Sequence, residues 1–109
     1  MKLIFAIVSD DDSPRLMAEV NRAGYRVTKL HSTGGFLRSG NTTLMAVVED
    51  TAQDDVLSII RKNSKSRKAA INASIPPSNM GASYVPYPVE VNIGGATVFV
   101  VPVEHFEKF

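Results

Sequence analysis

Residues 3–8 and 96–101 are apolar almost without interruption, and no other feature constrains the fold of this chain as tightly. A strand with one wet face alternates apolar and polar side chains, whereas an unalternating strand must be covered on both faces. The first run ends at the acidic turn Ser9-Asp10-Asp11-Asp12, and the second begins after Gly94-Gly95. Between them the period changes. Ser13 is placed to cap a helix with Pro14 at its first position. Leu16, Met17 and Val20 repeat at helical spacing, and Gly24 supplies the C-terminal stop. Residues 25–33 alternate as a strand that puts Arg26, Thr28 and Leu30 on one face. Residues 34–40 form a glycine-punctuated loop that leads into a strand over residues 42–48.

Thr51 offers a second cap, with Asp54 in the first turn and Val56, Ile59 and Ile60 as the apolar stripe. This helix fades into a basic run at residues 61–68. Residues 69–88, rich in proline, serine and asparagine, form a long loop of the kind that serves function or an interface. Residues 89–93 and 96–103 flank Gly94-Gly95 as a two-residue hairpin. The order β-α-β-β-α-β, with the last strand elaborated as a hairpin, is the split βαβ or ferredoxin-like pattern. The fold class is therefore α+β with an antiparallel sheet, as one domain over residues 1–109. Two helices cover one face of four strands. The unalternating runs need the other face covered as well, and another copy of the chain is the economical cover, so a homo-oligomer is expected.

Composition narrows the function. A hydrophobic share of 44% with 21% charged residues is that of a globular protein. The chain has no cysteine, which excludes thiolate metal sites and thiol catalysis and fits a reducing compartment. A net charge of +1 gives no long-range pull toward nucleic acid or membrane. The apolar start is too short for a signal peptide and runs into acidic residues without a cleavage site, so the expected address is the cytoplasm. His31 and His105 have no metal-ligand spacing, and the triple aspartate lacks the rest of a calcium loop, leaving helix-capping charges as its reading. The basic run is expected as a solvated helix end. Tyr84, Tyr87 and Phe99 suit a core or interface, with a pocket as the other use. No nucleophile elbow or triad pattern occurs, and no enzyme is expected.

The loop at residues 33–43 gathers the remaining chemistry. Gly34, Gly35 and Gly40 let backbone N–H groups approach a ligand closely. Phe36 and Leu37 are apolar residues at a loop tip. They meet a ligand, meet another subunit, or pack back on their own core, and the pattern alone does not choose. Arg26 and Arg38 supply charge for phosphate, and Thr28 and Asn41 supply hydrogen bonds. The spacing is not that of a Walker A loop.

Four stretches carry a resemblance: Arg26-Val27-Thr28-Lys29-Leu30, the loop just described, Tyr84-Val85-Pro86-Tyr87-Pro88-Val89-Glu90-Val91, and Gly94-Gly95-Ala96-Thr97-Val98-Phe99-Val100. Together they closely resemble the bacterial cyclic-di-AMP receptor family, the PII-like signalling proteins called PstA or DarA, from Met1 to Phe109. The resemblance implies a PII-like core, a homotrimer, and cyclic-di-AMP bound at subunit interfaces without cofactor, metal or catalysis. It also implies loops that relay the bound state to a downstream protein. Carried over by motif, Arg26, Thr28, Gly35, Phe36, Leu37 and Asn41 line the site, joined by Phe99. An adenine would lie against Phe36 and Leu37, Thr28 and Asn41 would hydrogen-bond, and Arg26 would face the phosphates. Val47 stands in the wall where relatives usually carry glycine, Gly24 where they carry asparagine, and Lys108 where they carry glutamine. The alternative reading is a PII-like interaction module whose nucleotide ligand has been altered or lost.

Overall fold

The unalternating N-terminal run lies in the interior of a sheet. The computed structural model describes residues 1–30, 40–73 and 87–109, and for residues 69–73 and 87–91 the backbone alone. In chain order the elements are β1 (Lys2–Ser9), α1 (Ser13–Arg22), β2 (Thr28–Leu30), β3 (Asn41–Val48), α2 (Gln53–Asn63), β4 (Arg67–Ala73), β5 (Tyr87–Ile93) and β6 (Ala96–Pro102), with a short 3-10 turn at Asp50–Ala52 before α2. Four strands form one antiparallel sheet in the order β2-β3-β1-β6. This is the ferredoxin-like arrangement expected of the sequence.

Both helices lie on one face. Ile4, Ala6 and Val8 of β1 and Leu44, Ala46 and Val48 of β3 meet Leu16 and Val20 of α1 and Val56 and Ile60 of α2 in a single buried core. Helix α1 ends as its glycine requires. Gly24 adopts φ +95°, its N–H donates to the Asn21 carbonyl, and the next N–H, of Tyr25, donates to Val20. That pair of bonds is a Schellman closure.

Several local expectations are corrected. The N-cap of α1 is Asp12 rather than Ser13, and its carboxylate makes no capping bond because it is engaged by Arg67. The acidic turn is therefore not simply a set of capping charges. Thr51 sits inside the 3-10 turn, and α2 begins at Gln53 without a side-chain cap. The strand after Tyr25 begins at Thr28, so Arg26 precedes it, and residues 31–33 of the expected strand lie outside the described residues. Residues 69–73 and 87–88, expected in a loop, belong to β4 and β5, which pair from Arg67↔Ile93 to Ala73↔Tyr87 as a separate two-stranded ribbon. Residues 74–86 lie outside the described residues.

The Gly94-Gly95 hairpin is also revised. Both glycines have positive φ, +76° and +86°, as a tight turn demands. Yet β5 pairs with β4 while β6 pairs with β1, so the glycines pass the chain from ribbon to sheet. A Cβ on Gly94 would stand 2.5 Å from Arg67 Nη1 and 2.9 Å from the Lys65 carbonyl oxygen. The arginine tip can swing aside, but the carbonyl is backbone. Left-handed φ adds about 1–2 kcal/mol for a residue with a side chain. Gly94→Ala is expected to lower stability by about 2 kcal/mol or more, read as a shifted midpoint in urea at constant m-value. An unshifted midpoint would contradict this packing.

Candidate functional site

The sheet face opposite the helices carries exposed apolar side chains. Antiparallel partners directly across from each other share a face, so the register places its residues in rows. One row runs Thr28, Met45, Phe5, Phe99 from β2 to β6. The next holds Val47, Leu3 and Val101, and a third holds Leu30, Thr43, Ile7 and Thr97. Val47, Phe99 and Val101 are 39%, 46% and 43% exposed, which is large for side chains of this kind. The face is apolar at the centre and threonine-rimmed.

Every described site residue except Arg26 lies in a strand on this face. Thr28 and Val47 fall on adjacent rows. Arg26, two residues before Thr28, shares an open groove of about 460 Å³ with Val47, Gly24 and Tyr25. The groove thus brings Arg26 together with Gly24 and Val47. Its far wall carries Glu49, so an anion would settle on the arginine side. The approach to Arg26 is fixed at Tyr25, whose hydroxyl donates to the Asp55 carboxylate of α2 at 2.7 Å. That hydrogen bond, with lesser desolvation and the nearby negative charge, holds the phenol above its usual value. The phenol therefore keeps its proton for this bond at neutral pH and gives it up as pH rises through that raised value.

Asn41 and Phe99 are on the same face but apart from this cluster. Asn41 opposes Ser9, about 20 Å along β3 from Val47 at roughly 3.3 Å per residue. Phe99 is three strand spacings from Thr28, about 14 Å. No single base spans either gap. Gly35, Phe36 and Leu37, with His31 and Arg38, lie outside the described residues. His105 is on the surface, 3.3 Å from Glu107.

A second groove, of about 380 Å³, runs between α2 and the start of β6, with Leu57, Ile60 and Val98 as its floor and Arg61 and Lys65 on its rim. None of its described lining residues is aromatic, so these offer a base no ring to stack on.

One contact was not foreseen. The basic run is a solvated helix end only at Arg61 and Lys62, exposed in the last turn of α2; α2 stops at Asn63, and Arg67 opens β4 with Nη2 3.0 Å from Asp12 Oδ1 and Nη1 3.4 Å from Oδ2. Asp12 raises the Arg67 guanidinium pKa above its ordinary value, chiefly by this hydrogen bond. The partners are 55 residues apart in sequence, and no local pattern links them.

Among the described residues no helix is long and apolar enough to cross a membrane, and no group of three or more acidic or histidine side chains is placed to hold a metal.

The chain is similar to a functionally unknown protein from Pediococcus pentosaceus ATCC 25745 solved by crystallography, with 42% identity, 99% of this chain and 96% of that one covered, and a TM-score of 0.74. The family model for the cyclic-di-AMP receptor matches residues 1–109. Matched over its whole length and carrying the sheet, helices and glycine turns described above, the chain belongs to the cyclic-di-AMP receptor family.

Proposed function

We propose that this protein is a cytoplasmic sensor that binds cyclic-di-AMP between subunits of a homotrimer, with residues 1–109 acting as one receptor domain, and reports occupancy to a protein partner without catalysing a reaction. Family membership supplies the ligand class. The observation that carries the rest is the spacing on the open face: Arg26, Thr28 and Val47 converge at one end, while Phe99 lies about 14 Å away across the sheet. A site that uses all of them on one ligand is economically built from two chains, Arg26 and Thr28 from one and Phe99 from its neighbour. Covering the apolar face by trimer formation brings those edges together. Asn41 and the Gly35, Phe36 and Leu37 segment complete the enclosure in this reading, the last two against an adenine.

Subunit mixing tests the shared site. Arg26→Ala and Phe99→Ala chains each form defective sites alone. When the two are unfolded together and refolded, roughly a quarter of interfaces pair an intact Arg26 with an intact Phe99. Cyclic-di-AMP binding should reappear at about that level. No recovery on mixing would place both residues on the same chain's site.

A second reading has its own observation. Gly24 and Val47, two of the three departures noted above, line the groove with Arg26, which supports a change at the ligand rather than at the periphery. On that reading the chain has shifted to another adenine nucleotide or to protein contacts alone. Val47→Gly discriminates. Relieving a crowded branched side chain is worth about 1–3 kcal/mol, so affinity for cyclic-di-AMP should rise about tenfold or more, measured by calorimetry. Stability should fall by about 0.5–1 kcal/mol because glycine weakens a strand. Unchanged affinity in a folded variant would show that Val47 does not limit binding.

A further inference from the structure

The turn between β1 and α1 holds two different parts of the molecule at once. At one end, the Asp10 N–H donates to the Gly40 carbonyl at 2.8 Å, and the Thr42 hydroxyl donates to the Asp10 carboxylate. Gly40 and Thr42 are where the glycine-rich segment rejoins the sheet. At the other end, Asp12, only 7% exposed, holds Arg67 by two contacts. Arg67 also donates to the Lys65 carbonyl at 3.2 Å, and it opposes Ile93 at the root of the β4–β5 ribbon. Gly94 lies against this pair so closely that a Cβ would stand 3.1 Å from Asp12 Oδ2.

The ribbon makes its main contacts within itself, and a two-stranded ribbon alone is marginally stable in water. Its order therefore depends on how its root is held. The root is held by Asp12, and Asp12 is two residues from the group that holds Gly40. A shift of the Gly40 carbonyl reaches Arg67 through two peptide units and one ion pair.

We propose that Asp12 and Arg67 are positioning residues that transmit occupancy of the ligand site to the β4–β5 ribbon, with Gly94 as the close-packed pivot. The proposal rests on the receptor reading above. It assigns a role to the acidic turn and to Arg67 that ligand contact does not require, since neither Asp12 nor Arg67 lines the Arg26 groove. The ribbon is then the segment whose order differs between free and bound protein.

Hydrogen–deuterium exchange with and without saturating cyclic-di-AMP tests this, on full-length wild type and on Asp12→Asn, Arg67→Met and Arg67→Lys. In wild type, the ligand should change exchange in β2 and β3 and also in residues 67–73 and 87–93, by roughly fivefold or more, the low end of usual coupling. In Asp12→Asn the response of β2 and β3 should persist while that of the ribbon disappears. Arg67→Met alters the partly exposed partner instead of the helix start, so the same result there excludes a damaged α1 as the cause. Arg67→Lys keeps the charge and should retain part of the response. A ribbon that answers the ligand equally in wild type, Asp12→Asn and Arg67→Met would overturn the proposal. So would a wild-type ribbon that is silent while β2 and β3 respond. No response anywhere, with no heat of binding, would instead remove the receptor reading on which the proposal stands.

Discussion

Val101→Asp should convert the proposed trimer into a folded monomer and abolish ligand binding with it. Val101 stands on the open face opposite Leu3, in the row that also contains Val47. At 43% exposure in the protomer it contributes little to the core, so a carboxylate there is solvated in the separate chain. In the assembled trimer that carboxylate would be taken out of water between apolar faces. The effective penalty is several kcal/mol for each ion, and every 1.4 kcal/mol is tenfold in the association constant. Light scattering should give the mass of three chains for wild type and of one chain for the variant, with the circular dichroism spectrum retained. A variant that remains trimeric would place the interface somewhere other than the open face.

Phe99→Ala should weaken cyclic-di-AMP binding by about tenfold to a hundredfold, because stacking of a base on an aromatic ring is worth about 1–3 kcal/mol. Phe99 is 46% exposed in the protomer and ends its row on β6 beside Phe5. On the proposed function it meets a ligand held chiefly by a neighbouring chain. Phe99→Tyr retains the ring and should retain most of the affinity, whereas Phe99→Leu retains only apolar area and should fall between. Calorimetry reads the affinities, and light scattering on the same samples confirms that the trimer persists. Equal affinity for wild type and Phe99→Ala would remove Phe99 from the site.

The elements that packing decides were legible in the sequence, and those that distant pairing decides were not. The unalternating run in β1, the helical stripes of Leu16 and Val20 and of Val56 and Ile60, and the Gly24 stop each follow from local chemistry, and each is present. Strand β4 is Arg67-Lys68-Ala69-Ala70-Ile71-Asn72-Ala73, a composition with little β preference. Strand β5 carries Pro88, which ordinarily demotes a strand. Neither is a strand by itself, and each forms because the other lies beside it. Gly94 and Gly95 gave a correct turn signal, but a turn signal does not state which strands pair. That choice went to β1, whose apolar edge accepts β6.

The site shows the same division. The sequence could place Arg26, Thr28 and Leu30 on one face, but only the register with β3 brings Arg26 and Thr28 beside Val47 and separates them from Asn41. The Asp12–Arg67 pair joins two charged runs that looked unrelated, because charges on separate elements meet only once the fold is built.

Titration calorimetry of the purified wild-type protein against cyclic-di-AMP, with cyclic-di-GMP and ATP as controls, is the most direct test. The account predicts saturable binding of cyclic-di-AMP at one site per chain, with the two controls markedly weaker. Silence toward cyclic-di-AMP at high micromolar concentration would contradict it.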